Sequence, residues 1–174
     1  MEIIVQHQFP APREQVLAAL ASPLYAAHLA RGHSFFAQIE PLRHEEDDAG
    51  WRREVRYHGR PFITRLGMFS LPAAWFSWIE HSQYDRARGE LSFANVPLVE
   101  SARDKLVNRG VMHFHAQEGA TVREARFEID FQVAAMYRPL KEVALTMMRR
   151  QVIRSLDEEA ALLTGWLSQE RVAA

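Results

Sequence analysis

Apolar and polar residues along this chain repeat at two different periods, and the switches between them divide it into blocks. Ile3, Val5, His7 and Phe9 share one parity against Glu2, Ile4, Gln6 and Gln8, which predicts a first strand ended by Pro10 and Pro12. Pro12 suits the first turn of a short helix with Val16, Leu17 and Leu20 on one side. Ser22 then caps a second short helix, with Pro23 at its first position, Leu24, Tyr25 and Leu29 as its apolar positions and Gly32 as its stop. From Ser34 the period is two. Candidate strands are Phe35–Leu42, Trp51–His58, Ala74–Tyr84, Gly89–Val96, Arg109–Gln117 and Thr121–Val133. From Pro139 to Gln169 the spacing is helical again. Leu140, Val143, Ala144, Met147 and Met148 begin a stripe that Val152, Leu156, Ala160, Leu163 and Trp166 continue. Such a rod of about 30 residues spans about 45 Å.

Turn chemistry fits these blocks. The acidic run Glu45–Asp48 closes at Gly50, and Asp85–Arg88 and Glu118-Gly119-Ala120 separate later strands. The stretch Gly59–Pro72 holds Pro61, Gly67 and Pro72, yet is apolar through Phe62, Ile63, Leu66, Met68, Phe69 and Leu71. Two prolines and a glycine exclude a central strand, so an ordered apolar loop or short helix over the sheet is expected. Phe127, Ile129, Phe131 and Val133 alternate with Arg126, Glu128, Asp130 and Gln132; on the strand before, Met112, Phe114 and Ala116 alternate with His113, His115 and Gln117. With Gly119-Ala120 as a two-residue turn, Phe114 faces Ala125, Met112 faces Phe127, His115 faces Glu124 and His113 faces Arg126. One face is then an apolar floor and the other wet, as in an antiparallel sheet covered on one side. Short strands followed by one long helix define an α+β layer architecture.

Composition narrows the function classes. A chain of 174 residues suits one domain, 1–174, with a core of its own. Without cysteine there is no disulfide, thiolate metal site or thiol nucleophile, which is compatible with a reducing cytoplasm. The opening MEIIVQHQFPAPREQ lacks the basic and apolar regions of a secretory signal, and no run of 18 apolar residues implies a membrane span. A net charge of −1 spread over 21 basic and 22 acidic side chains argues against a nucleic-acid partner.

The segments FPAPREQVLAAL and SPLYAAHL resemble the opening of the START-like superfamily, also called SRPBCC, polyketide-cyclase-like or helix-grip. RPFITRLGMFSLPAAWFSWIEHSQYDRARGELSF and RRQVIRSLDEEAALLTGWLSQ are similar to an actinobacterial-type subfamily of unknown function within it. The resemblance covers nearly the whole chain in order and spacing, and rests on element order more than on signature residues. It implies a seven-stranded curved antiparallel sheet wrapped around the long C-terminal helix, two short helices after the first strand, and a cavity beside the helix. The superfamily includes sterol and lipid carriers, hormone receptors, aromatase/cyclases and small hydrolytic or isomerising enzymes, so the fold does not choose among them.

The residues give two readings. Ten phenylalanines and four tryptophans, with Met147 and Met148 on the helix, suit either a solid core or an adaptable pocket for a flat or greasy molecule. Of the neighbours Trp75 and Phe76 only one can face inward, and Phe76 is favoured. Arg53 and Glu80 fall on apolar strand faces and are expected to pair at a cavity rim. Gln151, Ser155 and Glu159 lie at the margin of the helix stripe, more toward solvent than toward a ligand. His113 and His115 share a wet face, where cross-strand pairing explains them better than a metal. The leading expectation is a non-catalytic carrier or sensor of an apolar small molecule, lipid-like or polycyclic, without cofactor or metal, as monomer or homodimer. Tyr57, Phe76, Trp78, Phe93, Met112, Phe114, Phe127, Val143, Met147 and Gln151 are its candidate contacts, with Gly59–Pro72 as gate. The alternative is a cyclase, dehydratase or isomerase acting on an aromatic or polyketide substrate, which needs two or more of His7, Arg53, Tyr57, Glu80 and Tyr84 inside the cavity. A third possibility is a solid-cored domain that presents an exposed apolar patch to a protein partner.

Overall fold

The computed structural model describes residues 1–66, 69–70, 72–103, 105–132 and 138–173, of which 66, 69, 138–139 and 170–173 by backbone only. Strand β1 (Glu2–Phe9) leads through its two prolines into helices α1 (Arg13–Ala21) and α2 (Pro23–Gly32). The Ser22 hydroxyl accepts from the amides of Leu24 and Tyr25 at 3.2 and 3.5 Å, satisfying two donors that a helix start leaves unpaired. There follow β2 (Phe36–Asp47), β3 (Gly50–Gly59), the two short strands β4 (Arg65–Leu66) and β5 (Phe69–Ser70), and a single 3-10 turn at Ala73–Phe76. Next come β6 (Ser77–Asp85), β7 (Glu90–Pro97), α3 (Glu100–Arg103), β8 (Leu106–Gln117) and β9 (Ala120–Phe131). Helix α4 (Arg138–Ala173) completes the order.

Seven strands form one antiparallel sheet in the order β1-β9-β8-β7-β6-β3-β2, with β4-β5 a separate hairpin. From β6 to β9, successive strands are neighbours, whereas β1 and β2 are the two opposite edges. The pair α1–α2 therefore carries the chain across the full width of the sheet, and α4, 36 residues and about 54 Å long, lies along the same face. This is the helix-grip arrangement expected from the sequence.

The core divides in two. Toward α1 and α2, Phe9, Val16, Tyr25, Leu29, Phe114 and Leu163 belong to one continuous apolar cluster. A smaller one joins Ile3, Phe93, Phe127 and Ile129 to Leu145 of α4. Gly110 allows the β7–β9 contact within it. A Cβ there would lie 2.6 Å from the Phe93 ring and 2.2 Å from the Arg126 carbonyl oxygen. The space it leaves lets Phe93 stack near Phe127, with ring centroids 4.9 Å apart.

Several expectations are corrected. The β8–β9 turn is Glu118-Gly119, with φ of 30° and 78° at the two positions, so Met112 faces Ala125, Phe114 faces Arg123, His113 faces Glu124 and His115 faces Val122. The shift is two residues, which keeps every side chain on its expected face. The acidic run is mostly strand: β2 is an edge, where charged side chains stay in water and blunt further pairing. The strand expected from Ala74 begins only at Ser77. Gly59–Pro72 holds the β4–β5 hairpin rather than a loop or short helix; Gly67, Met68 and Leu71, like Val133, lie outside the described residues. Leu24 is exposed on the solvent side of α2. On α4 the buried line runs through Ala144, Leu145, Ala160, Leu163 and Leu167. Val143 is 52% exposed, and Leu145, on the other flank of Ala144, is buried instead, while Ala144, Ala160 and Leu163 keep to the expected stripe.

Candidate functional site

The sheet and α4 do not close on each other along their whole length. Beyond the solid cluster around Phe114, they enclose a cavity of about 590 Å³. Tyr57, Phe76, Trp78, Phe93, Met112 and Phe127 line it from the sheet side and Gln151 from α4. Phe114, Val143 and Met147 do not: Phe114 is locked into the filled end of the core, Val143 points to solvent, and Met147 turns aside while Met148 takes the wall. Ser155 and Glu159 line the cavity with Gln151, although their positions suggested solvent. Of the neighbours Trp75 and Phe76, Phe76 is buried and Trp75 exposed, and both border the cavity. The exposed members of the lining, Ser70, Trp75, Lys105 and Gln132, mark the open side, where the β4–β5 hairpin region, the segment after α3 and the start of α4 meet.

Aromatic stacking sets the shape of one end. Trp78 lies parallel to Tyr57, with centroids 5.3 Å apart and planes at 15°, and stacks on its other neighbour Phe35 at 6.1 Å and 22°. Tyr57 and Trp78 are directly opposed across β3 and β6, which places both rings on the concave face.

The polar groups of the cavity are mostly paired with one another. Arg53 donates to the Glu80 carboxylate at 3.2 Å, to the Ser82 hydroxyl at 3.1 Å and to the Leu20 carbonyl oxygen. The Arg53 and Glu80 side chains are 15% and 17% exposed, so the pair is inside the wall and not at the rim as expected. Burial alone would weaken the Arg53 charge. The Tyr57 oxygen and the Glu80 carboxylate outweigh that and hold its pKa above the ordinary value. Burial, reinforced by Glu80, also raises the Tyr57 pKa, so at neutral pH its hydroxyl keeps its proton and can donate.

A second network was missed in the sequence. Arg123 is 1% exposed and meets the Glu159 carboxylate at 2.6 Å. Its other nitrogen donates to His7 Nδ1 at 3.1 Å, and its guanidinium sits 5.2 Å from the Phe9 ring centroid. Because His7 Nδ1 accepts, the ring proton is on Nε2, which donates to Asp157 at 3.0 Å. Tyr25, whose hydroxyl donates to the Glu159 carbonyl at 3.3 Å, has its pKa raised by burial and then by the Glu159 charge. The signal for Arg123 was present: it shares parity with Ala125, Phe127 and Ile129 on β9. His7 and Tyr84 do not reach the cavity; His7 is spent on Arg123 and Asp157, and Tyr84 packs against Trp51.

Five buried polar atoms of the wall have no hydrogen-bond partner among the described residues; Arg123 Nε and Glu159 Oε2 belong to the ion pair just described, and three stand outside any charge pair. These three are Trp78 Nε1, Asn95 Oδ1 and Asn108 Oδ1. Outside the cavity, His113 and His115 stack on the outer sheet face with centroids 6.2 Å apart. No cluster of three His, Asp or Glu able to hold a metal occurs among the described residues. A larger concavity of about 1080 Å³ on the outer face is shallow, open and lined by interleaved charges such as Arg52, Glu54, Arg109 and Glu128. These include a 2.7 Å Arg109–Glu128 pair, and the region encloses nothing. Among the described residues no helix is long and apolar enough to cross a membrane.

No protein-family profile and no curated protein matches the sequence. Solved structures do match. TTHA0849 from Thermus thermophilus superposes with a TM-score of 0.66 at 14% identity, covering 95% of this chain and 98% of that one. The Zhui aromatase/cyclase from Streptomyces sp. R1128 gives 0.65 at 14%, covering 97% and 94%. A START superfamily protein from Mycobacterium smegmatis gives 0.53 at 11%, covering 97% of each chain. At these identities the likeness establishes the fold, and the fold is START-like, the helix-grip arrangement that the element order predicted. A binding role and a cyclase role both go with it.

Proposed function

We propose that this chain, as one domain, binds an apolar small molecule, lipid-like or polycyclic, in the cavity between sheet and α4. The observation that carries the reading is the cavity itself. Its volume falls within the range of about 300–1,000 Å³ common for small-molecule sites, and its wall is dominated by aromatic and aliphatic side chains. The charged groups deep in that wall neutralise one another in Arg53–Glu80 and Arg123–Glu159, which leaves them suited to holding shape more than to reacting; Lys105 and Lys141 lie toward the open side, Lys141 paired with Asp130. The stretch Gly59–Pro72, of which Phe62, Ile63 and Ser70 border the cavity, would act as the gate. A cysteine-free chain of this kind suits the reducing cytoplasm.

Native mass spectrometry of purified protein, followed by titration of the stripped protein with a fluorescent apolar probe, tests this. The expected result is one molecule per chain. Bare protein that also takes up no probe overturns the reading.

One observation favours the second reading, a cyclase, dehydratase or isomerase. Arg53, Tyr57 and Glu80 converge on the cavity, so its minimum requirement of two polar groups is met. Turnover of an aromatic polyketide-like substrate, lost in Glu80→Gln while binding persists, would move the assignment to that class.

A further inference from the structure

The β7–β8 ladder stops short. Its last pair is Ala94 with Arg109, although β7 continues to Pro97 and β8 starts at Leu106. Continued by one step, the register would set Asn95 opposite Asn108. Both asparagines face the cavity, and both present a buried side-chain oxygen with no partner among the described residues. On the other side of Asn95, strand β6 brings Glu80 directly opposite and Trp78 one diagonal step away. The Trp78 indole Nε1 is a third buried polar atom without a partner. Two acceptors and one donor thus occupy neighbouring inward positions on three adjacent strands.

Buried polar atoms of native proteins are nearly always paired, because an unmade hydrogen bond costs about 1–3 kcal/mol. Three together, outside the two charge pairs of a cavity wall that is mostly apolar, mark where a ligand's polar group belongs. Resting on the reading of the cavity as a binding site, we propose that this ladder end is the seat of a neutral hydroxyl group carried on an apolar ring system. A hydroxyl both donates and accepts, so it can give its proton to an asparagine oxygen and take one from the indole. A carboxylate is disfavoured. It has no proton for the two amide oxygens, and Glu80 stands beside them with Arg53 already engaged; of the other cations in the lining, Lys141 is held by Asp130 at 2.7 Å and Lys105 is exposed at the open side.

Isothermal titration of the stripped protein with 2-naphthol, naphthalene and 2-naphthoate tests the seat. Transfer from water favours naphthalene over naphthol, so any preference for naphthol must come from hydrogen bonds. We expect naphthol to bind at least about tenfold more tightly than either of the others, the value of one well-made hydrogen bond. In Asn95→Leu/Asn108→Leu the preference over naphthalene should fall to about twofold or less, and the empty variant should melt no lower than wild type, because leucine replaces unpaired polar atoms with an apolar group of similar size.

Equal one-to-one binding of naphthol and naphthalene by wild type overturns the seat and leaves the cavity reading standing. Tighter binding of naphthoate, or a preference that survives in the folded double variant, overturns it as well. No binding of any of the three overturns the seat, and the cavity reading falls with it only if apolar probes are refused too. The wild-type comparison needs no variant, so it stands even if the double variant does not fold.

Discussion

Replacing Glu159 by leucine removes the counter-ion of the most buried cation among the described residues. Arg123 is 1% exposed and Glu159 14%, and their 2.6 Å contact is backed only by His7 and the face of Phe9. Breaking a buried pair from one side typically costs about 3–5 kcal/mol, since the surviving charge stays in a poorly solvating interior. A domain of this size has about 5–15 kcal/mol in all. At about 2–4 °C per kcal/mol, Glu159→Leu should lower the melting temperature by about 6–20 °C. Removing both charges is different. Arg123→Met/Glu159→Leu exchanges the pair for apolar groups of similar bulk and should come back to within about 1–2 kcal/mol of wild type. Urea unfolding followed by tryptophan fluorescence measures all four corners of this cycle. If the single variant loses less than about 1 kcal/mol, or the double variant is no more stable than the worse single, the pair is not the buried, mutually dependent unit described here.

Two further outcomes follow from the geometry. Glu158 accepts from the Ser34 amide at 2.7 Å and hydroxyl at 2.6 Å; burial by itself would raise its pKa, but these bonds outweigh that and hold it below the ordinary 4.5. Its contribution is therefore complete above that value and is lost as pH falls through the lower folded one, so the stability gap between wild type and Glu158→Gln should narrow from about pH 6 to about pH 3 in urea titrations. Gly110→Ala puts a methyl group where the Phe93 ring and the Arg126 carbonyl leave no room, and should cost at least about 1–3 kcal/mol by thermal melting.

Much of this fold could be read from parity. The alternation through Phe127 and Ile129 gave the inner face of β9, and Ser22-Pro23 gave the start of α2, because both signals act within a few residues. The hairpin register needed the turn residues to be identified, and Glu118 adopts a positive φ that glutamate seldom takes. Arg123 lay in plain view on the inner face, but its charge hid it: only Glu159, 36 positions away in the sequence, explains its burial. Val143 and Leu145 flank Ala144 on the helix, and spacing alone does not say which flank the sheet covers. The orphaned Asn95 and Asn108 carried no local signature. What distinguishes them is that two strands part there, and separation of strands is a property of the assembled sheet.

The pairing of β1 with β9 bears on the life of the chain before it is folded. Glu2 lies opposite Glu128, and the Met1 amino group donates to the Ile129 carbonyl at 2.8 Å, so a segment made well before its partner is among the last to find its place. During synthesis the hairpins of β6 to β9 can form in turn, each from neighbouring sequence, while β1 waits for the far strand to emerge. Once β9 has emerged and until β1 docks, β9 is an open edge with an apolar inner face and unpaired backbone groups, a surface that another copy could pair with. Fold completion in this protein is thus a contest between its own β1 and its neighbours, and conditions that slow the return of β1 should reveal themselves first as aggregation.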